Sequence, residues 1–283
     1  MTVAWPVCLV MCLAAAFAAD SALFAATLSP VAVRAGIESL KQGETAADAA
    51  STIALTQVTT ALGSYVSYAG IPQLIYYDSQ ARKLYSLDAG WNSYLAESAP
   101  KTIPANDMGP LGTVLPTGGA EGRKTLVPGF MAGIEAIRKR FGRLPLASLL
   151  QPSIWYAENG VRVSPLLGSY FTSREKYLAR TPEGRKFLHQ AGDHVPKAGD
   201  RFIQTELAQT LRSVAKDDAE YMYTGEWGRQ FVDAVRAAGG KPPRKTCGAT
   251  GRCGTSRAAR CSWTTPSSRQ PEATRMAGKS WRR

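Results

Sequence analysis

Few residues of this chain combine the side-chain types and spacing that catalysis requires. His189 and His194 flank Asp193 in a polar turn, and imidazole beside carboxylate is the usual apparatus for proton transfer, although an ordinary surface loop explains the same residues. Glu135, Glu158 and Glu226 lie on separate predicted helices among charged neighbours, as solvated helix faces do. Tyr221, Tyr223 and Trp227 are spaced for one helical side and read as core rather than as a stacking platform. The chain contains no G-x-S-x-G elbow, no G-x-x-x-x-G-K-[ST] phosphate loop and no H-E-x-x-H pair. Cys8 and Cys12 sit in an apolar N-terminus, while Cys247, Cys253 and Cys261 have neither a C-x-x-C pair nor a nearby histidine, which argues against a zinc module. No metal site, no cofactor and no catalytic residue are expected from spacing alone.

The elements that would position a site are mostly helical. Ser29-Pro30 supplies a capping hydroxyl and a proline suited to the first helical position, and Val33, Ile37 and Leu40 share a face before Gly43. Thr45 with Asp48 three residues on starts a second, alanine-rich helix that neighbours can approach closely. Gln73 to Tyr77 and Lys83 to Leu87 form a hairpin around Asp78-Ser79-Gln80-Ala81. Residues 89 to 124 are irregular and include Gly118-Gly119-Ala120-Glu121-Gly122, a long loop of the functional or mobile kind. Helical periodicity returns from Pro128-Gly129 to Phe141, through Leu149, Ile154 and Ala157 to Gly160, and after Ser164-Pro165, Thr181-Pro182 and Thr205. A last helix carries Phe231, Val232 and Val235 and stops at Gly239-Gly240.

Composition breaks there. The 43 residues from Lys241 to Arg283 hold 11 Lys/Arg against one acid, Glu272, and no Val, Ile, Leu, Phe or Tyr. The 34 basic and 22 acidic residues of the whole chain become 23 and 21 once this tail is set aside, so the net charge of +12 belongs to the tail. Clustered Lys/Arg would ordinarily indicate nucleic acid or an anionic membrane, but that reading applies to the tail alone. At the other end, Val3 to Ala19 is an uncharged run closing on Ala16-Phe17-Ala18-Ala19. It reads either as a cleaved signal peptide, placing the protein in the periplasm or outside the cell, or as an apolar extension of a cytoplasmic one. The expected organisation is residues 1–19 as that signal or extension, 20–240 as one domain and 241–283 as a basic, disordered tail.

The run Val127-Pro128-Gly129-Phe130-Met131-Ala132-Gly133-Ile134-Glu135, then Arg140-Phe141-Gly142-Arg143-Leu144-Pro145-Leu146, Pro152, and Ala157-Glu158-Asn159-Gly160-Val161-Arg162-Val163-Ser164-Pro165, resembles the large subunit of gamma-glutamyltransferases. So do Gln42-Gly43 with Asp48-Ala49-Ala50, Tyr77-Asp78, Lys197-Ala198-Gly199-Asp200, Gln204, and Tyr223-Thr224-Gly225-Glu226. The resemblance implies an α+β fold of the N-terminal-nucleophile hydrolase type (αββα), present here as an incomplete, mainly helical large-subunit half with a small β-hairpin. In that family a precursor cuts itself, and the freed threonine attacks a gamma-glutamyl amide such as glutathione. Its own α-amine serves as the base.

The resemblance further implies a partner small subunit that carries this threonine, and a small-molecule amide substrate. Thr264-Thr265 are not expected to replace the nucleophile, because no packed scaffold is expected around them. The family's arginine for the substrate α-carboxylate would fall in Asp88-Ala89-Gly90-Trp91, where glycine cannot make a bidentate contact. Asp88, Gly90 and Trp91 therefore occupy the clamp loop of a divergent branch. The reading is a truncated gamma-glutamyltransferase-like protein, inactive alone, with a frameshifted tail; the alternative is a catalytically dead binding protein with a basic arm for nucleic acid or anionic membrane. Neither nucleic acid nor membrane is the favoured partner.

Overall fold

The computed structural model describes residues 25, 27, 29–92, 99–103, 107–108, 114–115, 121–190, 194–240 and 262–264. The apolar N-terminal run, Gly118-Gly119-Ala120, Asp193 and most of the tail, including Thr265, lie outside the described residues. Helix α1 (Pro30–Lys41) starts where Ser29 Oγ accepts the Ala32 N–H, and Gly43 ends the turn at φ +80°. Helix α2 (Ala46–Thr60) follows with the expected reciprocal cap: Thr45 Oγ1 accepts from Asp48 N, and Asp48 Oδ2 accepts from Thr45 N. α1 crosses α2 closely at Gly36, where a Cβ would stand 2.3 Å from the Ile53 side chain.

Strands β1 (Gln73–Asp78) and β2 (Lys83–Asp88) form the antiparallel hairpin, with Leu74 opposite Leu87 and Tyr77 opposite Leu84. Asp78 Oδ1 accepts the N–H groups of Gln80 and Ala81, both at 3.0 Å, which closes the turn. A short pair, β3 (Asp107–Met108) and β4 (Val114–Leu115), and the 3₁₀ turn Glu121–Lys124 lead to helix α3 (Phe130–Phe141). Helices α4 (Leu146–Leu149) and α5 (Gln151–Asn159), strand β5 (Val161–Arg162), and helices α6 (Pro165–Leu178) and α7 (Pro182–Leu188) come next. β6 (Arg201–Phe202) pairs with β5 before helices α8 (Thr205–Asp217) and α9 (Glu226–Ala237).

The core gathers around α2. Leu55 meets Met131 and Ile134 of α3, Leu149, Leu150, and Leu211 and Val214 of α8, all buried; each such side chain stabilises the fold by about 1.5–3 kcal/mol. A second cluster, Leu62, Val161, Val163, Phe171, Leu188 and Phe202, joins α6 and α7 to the β5–β6 pair. One face of the hairpin packs on α3, where Tyr76 stacks on Phe141 with centroids 4.0 Å apart. Among the described residues, no helix is long and apolar enough to cross a membrane.

Thr205 opens α8 as expected, and Gln204 before it holds the cap position and sends its side-chain amide to Thr59 O at 2.9 Å. One expectation changes. The tail is not without a scaffold at Ser262–Thr264, which form strand β7 antiparallel to β2, because the outer edge of β2 offers unpaired main-chain groups.

Candidate functional site

The residues that looked catalytic by type are otherwise engaged and do not converge. His189 caps α7 with Nε2 3.4 Å from Glu175 Oε1, whereas the His194 Nδ1 lies 3.2 Å from Val195 O. Glu135 does not belong to a solvated face: its side chain is 13% exposed, and Arg138 donates to both carboxylate oxygens at 2.9 and 2.7 Å. Burial opposes its ionisation, but the Arg138 and Lys139 contacts outweigh it and hold the carboxyl below its ordinary range. Glu158 pairs with Arg212, and exposed Glu226 is lowered by its hydrogen bonds from Arg229 and Gln230. Tyr223 is buried and Tyr221 and Trp227 pack beside it, so this set is core, though it spans the 3₁₀ turn Ala219–Met222, a loop and α9 instead of one helix. Among the described residues, no group of three His, Cys, Asp or Glu is arranged for a metal ion.

The motif residues turn out to be locks. Asp48, fully buried, accepts the Arg143 N–H on both oxygens (3.1 and 3.0 Å), the Leu144 N–H at 3.3 Å and the Thr45 hydroxyl at 2.7 Å. This ties the start of α2 to the loop after α3, and a Cβ on Gly142 would stand only 2.7 Å from Asp48 Oδ1. Tyr223 does the same between distant segments, donating to Pro128 O at 3.1 Å and accepting from Ala132 N at 3.0 Å.

The loop of Asp88, Gly90 and Trp91 follows β2 directly. Ala89 is buried, and its N–H reaches Pro72 O at 3.2 Å. Gly129 lies against it so tightly that a Cβ there would stand 2.1 Å from Ala89 O. The Gly129 and Phe130 N–H groups both donate to Gly70 O at 3.0 Å, and Asn92 and Val127 exchange main-chain hydrogen bonds. The segments 69–72, 88–92 and 127–130 therefore form one fixed frame at the N-terminus of α3. Out of it Trp91, 55% exposed, points its Nε1 to Ala69 O at 3.4 Å, while Asp88 accepts from Gln73 Nε2 at 3.4 Å.

Between these segments opens a cavity of about 520 Å³, walled by Tyr65, Ile71, Trp91, Phe130, Gln57 and Gln73. No Lys or Arg lines it among the described residues. Gly90 and Asp88 precede Trp91 on the same loop without lining the cavity; among the described residues, a Cβ on Gly90 would have Asp88 Oδ1 at 3.3 Å. The lining offers aromatic and aliphatic walls, the hydroxyl of Ser67 and the two amides of Gln57 and Gln73. Such a set suits an acyl chain better than an anionic head group.

Beyond this frame the hairpin is bare. Ile75, Tyr77 and Leu84, all on the face turned away from α3, are 73%, 60% and 42% exposed. A sheet packed on helices by one face and apolar on the other is half of a layered α+β fold. The fold is that of the N-terminal-nucleophile hydrolases: the gamma-glutamyltranspeptidase of Helicobacter pylori superposes with a TM-score of 0.69 at 22% identity, over 85% of this chain and 65% of that one.

The chain belongs to the gamma-glutamyltranspeptidase family, whose profile matches residues 32–242. It is 33% identical to the glutathione hydrolase proenzyme of Pseudomonas aeruginosa over 220 residues, 74% of this chain and 37% of that protein. With the acylase ACY 1 proenzyme of Pseudomonas sp. (strain V22) it shares 39% over 114 residues, 40% of this chain and 20% of that protein. The matched region thus spans between a fifth and about two fifths of these relatives.

Proposed function

We propose that this chain is the large-subunit-like half of an amide hydrolase or acyltransferase of the family, inactive by itself, with the nucleophilic threonine supplied by a small-subunit segment. The uncovered face of Ile75, Tyr77 and Leu84 carries this reading, since a second sheet laid there would bury apolar surface that a self-sufficient domain rarely leaves in water. The freed threonine would bring both hydroxyl and α-amine base, and this chain would bring the substrate-holding frame. With Gly90 in place of a guanidinium and no Lys or Arg lining the cavity among the described residues, the acyl group favoured is an uncharged or aromatic one, and glutathione is the weaker substrate. The similarity to an acylase supports the same choice.

Co-expression with the small-subunit segment of a family member, followed by assay on a phenylacetyl amide and a gamma-glutamyl anilide, tests it. Hydrolysis of the first above the second, absent from either part alone, is the expected result; no activity on any amide counts against the reading. The family match ends at residue 242, beside the composition break at Gly239-Gly240, which supports a shift in reading frame as the origin of the tail. Translating the downstream nucleotides in the other two frames should yield a small-subunit pattern with its threonine. If neither does, that origin is excluded.

A further inference from the structure

Independently of that reading, we infer that the outer edge of β2, with the ring cluster beneath it, is a strand-capture site for an extended segment centred on an aromatic residue, and that its occupant is this chain's own Ser262-Trp263-Thr264. β7 pairs antiparallel with β2, Ser86 opposite Thr264, Leu87 opposite Trp263 and Asp88 opposite Ser262. The direction of each amide follows from strand alternation. The Ala89 N–H turns to Pro72 on the β1 side, so Leu87 does too, and the N–H groups of Ser86 and Asp88 turn outward to β7. Leu87 and Trp263 form the intervening narrow pair, in which side chains approach most closely.

Their common face is toward α3. Trp263 meets Phe141 edge-on at 5.3 Å between centroids and packs with Leu87 and Ile137. The Arg140 guanidinium lies between two rings, 4.4 Å from the centroid of Tyr85 and 4.8 Å from that of Trp263. Such cation–π contacts favour tryptophan above other side chains, so the socket selects what the tail brings. Main-chain pairing supplies affinity here and the ring pocket supplies specificity, as in other cases of strand addition.

Residue-resolved hydrogen exchange on the full chain tests the assignment. Ser86 and Asp88 amides should exchange slowly, while Leu84, on the same edge beyond the end of β7, exchanges fast. Trp263→Ala, or Thr264→Pro with its lost donor, should release Ser86 and Asp88 and leave Leu211 and Val214 of α8 protected. A peptide spanning residues 258–268 should restore protection to the Trp263→Ala chain, and the same peptide with alanine at 263 should not. Equal exchange of Ser86 and Asp88 in wild type and both variants would overturn the site. Protection that rises with protein concentration alongside a sedimenting dimer would overturn the assignment to the same chain.

Discussion

The helical side of this molecule and the hairpin side treat their polar groups in opposite ways. Around α2 almost every special residue is spent on holding distant segments together: Asp48 joins the start of α2 to Arg143-Leu144, Tyr223 reaches both Pro128 and Ala132, and Gln204 reaches Thr59. Around β1 and β2 the frame is equally fixed, but its products face outward: a bare apolar sheet face, an aromatic cavity and a strand edge covered by three residues of the tail. A side whose polar groups are committed inward is an architectural one. A side that leaves apolar surface exposed and takes up a strand at its edge is built to meet something.

The comparison breaks most easily at Asp48. Asp48→Ala removes the buried carboxylate that accepts from the Arg143 and Leu144 N–H groups and caps α2, so it should cost about 3–4 kcal/mol, read from the urea midpoint of the full chain. A loss under about 1 kcal/mol would show that the lock is dispensable.

Tyr68 gives the next largest effect on the same side. Burial pushes its hydroxyl up to about 12, against the hydrogen bond with Thr59, and the hydroxyl donates to Leu55 O at 3.0 Å. Its folded value lies above the unfolded value of 10, so the neutral phenol's contribution is complete below pH 10 and is lost as pH rises toward 12. That loss is on the order of 2–3 kcal/mol, and Tyr68→Phe should flatten the stability profile in this window. An unchanged slope in Tyr68→Phe would move the alkaline sensitivity elsewhere.

On the hairpin side substitutions should change association and leave stability alone. Ile75→Lys with Tyr77→Lys removes exposed apolar surface and touches nothing buried, so the urea midpoint should stay within about 0.5 kcal/mol. Sedimentation velocity should show the wild-type chain self-associating with concentration and the double variant remaining monomeric. If both are monomeric at high concentration, the bare face is not sticky and the contrast between the two sides weakens.

Much of this architecture was legible because local rules and tertiary structure agree. The Thr45–Asp48 box, Ser29-Pro30, the Phe130–Phe141 helix and the hairpin all follow from capping, turn chemistry and periodicity, and the structure places them within a residue of expectation. What did not show was anything that depends on a partner far along the chain. Asp48 looked like a helix-start residue, yet three of its hydrogen bonds come from Arg143 and Leu144. Glu135 looked solvated because its neighbours are charged, but Arg138 turns onto it and both leave the water. The tail was set aside for its lack of aliphatics, and Trp263, a large aromatic within it that anchors a strand on a ring cluster, was the signal that could have flagged it. The cavity beside Trp91 joins residues from four separate segments, which no spacing pattern reports.

The smallest stability effect is also the sharpest test of the hairpin side. The φ of Gly90 is not in the left-handed region, and an added Cβ would stand 3.3 Å from the Asp88 carboxylate. Gly90→Arg should therefore fold with a change within about 0.5 kcal/mol and bring a guanidinium to the loop that carries Trp91. If the cavity is the site of the acyl group, this single change should make the chain bind glutamate measurably by calorimetry where the wild type does not, because a planar fork then meets an α-carboxylate. Glutamate binding that is equal in both would mean that the frame around Trp91 does not hold the substrate, and that the openness of the hairpin side serves assembly alone.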